Sequence, residues 1–324
     1  MLFFTIFKRL MQQSTPHILM IKPYGFGYNA QTANNNYFQH SDLDASKSEI
    51  TSNALLEFDG MVEMLSRHGI NVMVYDNKET LTTPDAVFPN NWISTHSNGT
   101  VVLYPMFAPN RRKERNPAVI ELLTNTHHFK ANKIEDFSDF EAQNKFLEGT
   151  GSMLLDRIHK IVYASLSERT SQELLEKFCN KMKYELVTFQ SYHINSGEHL
   201  LIYHTNVMMC LAKDYAVVCL EAISNDNERE VVASSLKKSG KVIVELTMNQ
   251  IGEFAGNMLE VIDANNRSYL VMSSSAFESL TEKQKAELSK FSTLLHSPLH
   301  TIEKYGGGSA RCMLAEVFLP NENT

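Results

Sequence analysis

The chain has 324 residues, 43% of them apolar and 21% charged, with 14 Gly, 9 Pro and 4 Cys. That mixture supports a large core and excludes disordered, collagenous and low-complexity classes, and at about 150 residues per domain it allows one large domain or two. Thirty Lys plus Arg against 37 Asp plus Glu give a net charge of −7, without the dense basic face that a nucleic-acid partner requires.

Four cysteines without a C-x-x-C pair are too few for a disulfide scaffold, so free thiols and a cytoplasmic location are expected. At the N-terminus, Met1 to Phe7 is apolar, but Lys8 and Arg9 follow the run and nothing positive precedes it. That order is wrong for a secretory signal, and the run is too short to span a bilayer, so no membrane partner is expected. Residues 1–15 are read as a disordered extension, with Met11 as a native start, ahead of one domain over 16–324.

In chain order, Ile18 to Ile21 and Asn71 to Tyr75 read as strands flanking a helix over Ser48 to His68. Ser41 or Ser48 can cap that helix, and Gly69 sits just past its end. The loop Tyr24 to Gln39 is crowded with Asn and Gln and carries no periodic signal; it reads either as a cover over bound substrate or as a solvent-exposed structural loop. Arg111 to Thr126 is a less regular helical stretch. Further helices are predicted over Ser167 to Met182, Asn227 to Lys238 and Ser275 to Phe291. Strand-like runs follow them at Tyr184 to Phe189, Lys241 to Leu246 and, ambiguously, Thr293 to Ile302.

Five times, a turn of small polar residues leads directly into an apolar strand. The markers are Asn91, Gly151, Asn206, Asn257 and Cys312, at steps of 60, 55, 51 and 55 residues. Periods near fifty mark a repeat of one supersecondary unit, here strand, polar turn, strand, helix, strand. Arranged around an axis, as in propellers, such units place equivalent positions together at one face. Residues hundreds of positions apart then share one polar pocket. The alternative is a generic α/β chain whose turns are only turns.

The turns hold Glu148, His204 and Cys312, a carboxylate, an imidazole and a thiol, a set suited to nucleophilic catalysis. Gly306-Gly307-Gly308 ahead of Cys312 permits close backbone approach. Cys179, Cys210 and Cys219 lie in apolar runs and read as core. His193, His199 and His204 fit no zinc spacing, and neither metal nor cofactor is expected.

The segments GGGSARCM (Gly306 to Met313), HTNVMM (His204 to Met209), EGTGS (Glu148 to Ser152), FPNNW (Phe88 to Trp92) and SLSERT (Ser165 to Thr170) resemble the guanidino-modifying superfamily. That superfamily holds arginine deiminase, dimethylarginine dimethylaminohydrolase, agmatine deiminase and the amidinotransferases. The resemblance runs in order from about Ile18 to Leu319, with wording most similar to bacterial citrulline-utilisation hydrolases. It implies an α/β fold of the pentein type, a five-bladed α/β propeller.

The resemblance further implies that Cys312 is the nucleophile, that His204 moves protons, and that Glu148 accepts hydrogen bonds from substrate nitrogens. Arg112 and Arg169 match arginines that hold an amino-acid carboxylate. Asn91 and Asn206 fall where relatives usually have Asp, and Asn257 is assigned to shaping the pocket. An amide can donate to a ureido oxygen as a carboxylate cannot. The expected substrate is therefore citrulline, hydrolysed to ornithine, ammonia and carbon dioxide through a covalent Cys intermediate. Asp85 or Glu253 can instead supply the missing negative charge, which restores a dimethylarginine or arginine hydrolase. An amidinotransferase or a non-catalytic amino-acid-binding protein are the remaining alternatives. The expected partner is a small amino acid, and an oligomer is compatible with this reading.

Overall fold

The computed structural model describes residues 12–33, 35–40, 46–76, 78–195 and 198–321. The proposed start at Met11 and the candidate cap Ser41 lie outside the described residues. Gln13, Ser14 and Thr15 correct the expected extension, because all three are buried and bonded to distant strands. The Gln13 amide donates to Leu155 O at 2.9 Å and accepts from Arg157 N at 2.8 Å, while Ser14 Oγ donates to Glu260 at 2.6 Å.

Among the described residues, five three-stranded sheets carry the fold, accompanied by a small hairpin of Tyr192–Asn195 and Glu198–Leu201. The first sheet joins Ala315–Glu316, His17–Ile21 and Asn71–Tyr75, so the two ends of the chain share it. The second joins Ile93–Thr95, Thr100–Leu103 and Lys133–Asp136. The third joins Leu154–Asp156, Ile161–Ser165 and Glu185–Phe189. The fourth joins Met209–Leu211, Tyr215–Val218 and Val242–Glu245. The fifth joins Leu259–Ile262, Ser268–Ser273 and Thr293–Ser297. Every middle strand is antiparallel to its first neighbour and parallel to its third. Parallel neighbours require a crossover, and helical segments supply it in each unit. Middle strands such as Tyr215–Val218 are buried throughout, which explains their unbroken apolar runs.

The helix Lys47–Arg67 shows how sequence dictates these crossovers. Ile50, Ala54, Phe58, Met61 and Leu65 recur every three or four residues and form its buried stripe. Each large apolar side chain on that stripe contributes roughly 1.5–3 kcal/mol by burial. The cap is Ser46 rather than Ser41 or Ser48, its hydroxyl accepting from Glu49 N at 3.2 Å. Gly69 follows at φ +77, a left-handed stop.

Two expected elements are divided and a third is shortened. Ser275 to Phe291 forms two helices, Ser274–Ser279 and Glu282–Leu288, because Leu280 is extended and Thr281 opens a capping box with Gln284. Thr293 to Ile302 splits into the strand Thr293–Ser297 and the start of the helix His300–Gly306. The helix predicted from Ser167 begins only at Gln172, since Ser167 and Thr170 close a tight turn that carries Arg169.

The five marker turns touch in succession. Thr150 Oγ1 donates to Asn90 O at 3.3 Å, and Thr205 Oγ1 donates to Ser152 O at 2.5 Å. Asn257 Nδ2 donates to Asn206 O at 3.0 Å, and Arg311 N donates to Asn257 O at 3.3 Å. The Ala310–Met313 turn packs in its own right on Pro89–Asn91, which returns the circuit to its first member. Residues far apart in sequence are thereby gathered at one place.

Candidate active site

Cys312 sits on the single helical turn Ala310–Met313, directly after the glycine run. Gly307 adopts φ +62, and a Cβ there would meet the Asn36 amide at 2.5 Å. A Cβ at Gly306 or Gly308 would meet the Phe88 ring at 2.8 or 2.9 Å. The glycines therefore allow the backbone to lie against Phe88 and Asn36 beside the thiol. Two amides face the sulfur: Asn257 Nδ2 at 3.2 Å and Asn206 Nδ2 at 3.4 Å. Asn257 also accepts from the Cys312 backbone N–H at 3.4 Å. The other three thiols are buried in the core, and burial pushes the pKa of each up to about 12.

His204 Nε2 lies 2.8 Å from Glu148 Oε2, with both side chains buried. Burial pushes the His204 pKa down to about 4, overriding the pull of the carboxylate. Burial works to raise Glu148, yet the Arg169 guanidinium at 3.6 Å and the His204 hydrogen bond bring it down to about 2. At neutral pH the pair is thus a carboxylate beside a neutral imidazole. An ionised carboxylate only accepts, so Nε2 carries the proton and Nδ1 keeps its lone pair. Nδ1 borders Gly151, where a Cβ would approach it to 2.9 Å.

Cys312, His204, Asn91 and Arg169 line one pocket, together with Asp85, Arg111, Phe88, Tyr203, the three glycines, and Thr32 and Asn36 of the loop Tyr24 to Gln39. Glu148 lies behind the wall rather than on it. Its second oxygen accepts from Phe107 N at 2.9 Å, so both oxygens already have protein partners. Arg169 lies over the Tyr203 and Phe107 rings, 4.7 and 5.7 Å from their centroids, and donates to Thr32 O and Asn35.

Arg112 does not reach the pocket. Its Nε donates to Met106 O at 3.1 Å and pairs with Glu141 at 3.3 Å, and its side chain is about a third exposed. The neighbouring Arg111 takes the inward position, buried and bonded to Glu114 at 2.9 Å and to Asn91 Oδ1 at 2.8 Å. Arg111 Nε lies 3.7 Å from Asp85. In a run of five charged residues, neighbour-by-neighbour reading could not tell which arginine points inward. The i,i+3 pairing of Arg111 with Glu114 was the available signal.

Burial raises the Asp85 carboxyl against the pull of Arg111, and raises Glu114 to about 7 for the same reason. Asp85 Oδ2 accepts from Asn29 at 2.7 Å, whereas Oδ1 is buried without a hydrogen-bond partner among the described residues. Glu253, the other candidate for a compensating charge, is exposed and outside the pocket. Among the described residues no group of three or more His, Cys, Asp or Glu could hold a metal. His199 is exposed on the hairpin, and His193 packs on Phe38.

Residues 22–319 match the family described as N,N dimethylarginine dimethylhydrolase, eukaryotic. The chain belongs to that family. That family places it in the guanidino-modifying superfamily of hydrolases acting on C–N bonds. No curated protein matches.

Among solved structures, the N-terminal domain of ArgZ bound to substrate, an arginine dihydrolase from the ornithine–ammonia cycle in cyanobacteria, is similar in fold. It shares 18% identity at a TM-score of 0.68, covering 94% of this chain and 99% of that one. AgrE in complex with L-arginine gives 18% identity and a TM-score of 0.70 over 95% of this chain. A dimethylarginine dimethylaminohydrolase adduct with S-methyl-L-thiocitrulline gives 12% identity and a TM-score of 0.59, covering 94% and 99%. The chain spans 41% of the longer ArgZ and AgrE chains. Among the described residues no helix is long and apolar enough to cross a membrane.

Proposed function

We propose that this protein hydrolyses a C–N bond of a cationic guanidino amino acid, arginine or a methylated arginine, through a covalent adduct on Cys312. The observation that carries this is the charge around the pocket. Three buried carboxyl groups, Asp85, Glu114 and Glu148, face two guanidiniums, Arg111 and Arg169. Burial raises Asp85 and Glu114 against the pull of Arg111, which they share, so with all three carboxyl groups ionised the two guanidiniums leave one negative charge over. A guanidinium neutralises it, and the unpartnered Asp85 Oδ1 offers an acceptor for its N–H.

The ureido reading needed Asn91 and Asn206 to donate to a substrate oxygen. Asn91 Nδ2 is engaged by Asn90 Oδ1 at 3.1 Å, and Asn206 Nδ2 points at the Cys312 sulfur. Citrulline remains the second reading, since it carries the same amino-acid end and the product of the first hydrolysis is itself a ureido compound.

In this proposal the Cys312 sulfur adds to the guanidino carbon, and its proton passes to His204 Nδ1. His204 then protonates the departing amine as the C–N bond breaks, leaving an amidino group on sulfur. Water, deprotonated by Nδ1, adds to that carbon, and the C–S bond breaks to restore the thiol and release the ureido product. Asn206 and Asn257 donate to the sulfur while it is anionic. Glu148 acts behind His204, fixing its tautomer, Arg169 provides the positive side for the substrate carboxylate, and Arg111, its donors engaged by Glu114 and Asn91, holds the Asp85 side of the pocket in place. The five sheets, with their marker turns in a closed succession, are read as blades of a five-bladed α/β propeller forming one catalytic domain. Its packed chain begins by Gln13.

The experiment is turnover of arginine, dimethylarginine and citrulline, with release of ammonia, dimethylamine, citrulline and ornithine measured separately. The expected result is faster turnover of a cationic substrate, with preference shifting toward citrulline in Asp85→Asn. Faster turnover of citrulline than of either cation by the unmodified protein would overturn the charge argument.

A further inference from the structure

A cavity separate from the pocket beside Cys312 opens among the described residues. It has a volume of about 450 Å³ and is lined by the turns His96 to Asn98, Arg157 to Lys160 and Asp263 to Asn266. These turns join the first and second strands of three sheets, whereas the marker turns precede the first strands. The cavity therefore lies at the other end of those first strands from the thiol.

Its polar wall is dominated by two cations. Arg157 is buried, stacks on Phe318 with its guanidinium carbon 3.8 Å from the ring centroid, and donates to Thr95 O at 3.4 Å. Its nearest carboxylate, Glu316, is 3.9 Å away and is shared with Arg311 at 3.2 Å. Lys160 is half-buried over the Tyr184 ring at 4.5 Å and has no acidic partner among the described residues. The wall's own acid, Asp263, is engaged by Arg267 at 2.6 Å and by two backbone N–H groups. Arg157 and Arg311 thus share one carboxylate, while the half-buried Lys160 on the same wall has none among the described residues. Burial and the neighbouring Arg157 both push the Lys160 ammonium toward deprotonation. Lys160 also sits at φ +59, a conformation unusual for a lysine, which points its stem from a tight hairpin turn.

We propose that this cavity is a second ligand site, taking a small organic anion whose phosphate or carboxylate pairs with Arg157 and Lys160. The apolar part of the ligand lies between Phe318, Tyr184 and Phe129. An anion there offsets the repulsion between the two cations and supplies acceptors to both, while the rings supply a dry flank. A metal cation or a guanidino substrate is disfavoured by the same charges, so the site is distinct in chemistry from the pocket beside Cys312.

The test is calorimetric titration of the full chain with phosphate, phenyl phosphate, acetate and benzoate, at ionic strength matched with chloride. Saturable one-to-one binding of at least one of them is expected, with the phenyl compound tighter than its bare counterpart. The phosphate and carboxylate arms distinguish the two headgroups. Lys160→Asn removes the charge and suits the left-handed turn, so it should keep turnover and folding while weakening binding at least tenfold. Absence of saturable binding in all four titrations would overturn the proposal, as would equal affinity in the wild type and Lys160→Asn.

Discussion

Glu148→Gln keeps the side chain's shape and removes its charge, which isolates what the carboxylate does behind His204. The fully buried Glu148 stands at a pKa of about 2 against an ordinary 4.5. That drop corresponds to about 3 kcal/mol of native-state preference for the ionised form, at roughly 1.4 kcal/mol per pH unit. Because the folded pKa is depressed, the contribution is complete above pH 4.5 and disappears as pH falls through 2. At pH 7 the Gln variant should therefore be less stable by about 3 kcal/mol, read from urea midpoints.

The catalytic consequence follows from hydrogen-bond direction. Phe107 N–H holds the oxygen of the new amide, so the amide NH2 faces His204 Nε2. Nε2 must then accept, which moves the ring proton to Nδ1 and removes the base from the pocket. Turnover should fall by about 10²–10⁴, the usual worth of general acid–base catalysis, with the far-UV spectrum unchanged. A Gln variant within tenfold of wild-type turnover, or one as stable as wild type at pH 7, would refute this account of the pair.

His204 bears on acid stability directly. Its folded pKa of about 4 lies below the ordinary 6.5, so the unfolded chain takes up a proton first as pH falls. Wild type should lose about 3 kcal/mol between pH 6.5 and 4, and His204→Gln should lack that slope in urea titrations. Gly151→Ala places a methyl group 2.5 Å from the Asn91 amide and 2.9 Å from His204 Nδ1. It should cost about 1–3 kcal/mol in thermal unfolding and about 10²-fold in turnover, since both groups must move. Arg112→Ala should leave kcat/KM within a few-fold, whereas Arg111→Ala should lower it at least about 10²-fold or prevent folding, because it leaves Asp85 and Glu114 buried without their cation. Equal effects of the two arginine variants in the same assay would contradict their assignment.

The residues that come together were legible because each sits at the same place in a repeated unit. Cys312, His204 and Asn91 fall on marker turns, and these turns touch in succession. Glu148 was legible in identity but not in posture, since only packing shows its two oxygens engaged by His204 and Phe107. The choice between Arg111 and Arg112 was equally hidden, as one step along a 3₁₀ turn swings the side-chain direction by about 120°.

Composition, the fifty-residue rhythm and the alternation of apolar runs with helical stripes determined an α/β chain of five like units, because strand and helix periods are local properties. The glycine run and the polar turns likewise marked where chemistry would gather. What only the tertiary structure decided is the charge balance of the pocket. Asp85 and Glu114 stand apart from the markers, and their weight depends on burial and on distance to Arg111. Burial and distance belong to the assembled chain, and no reading of neighbours in sequence contains them.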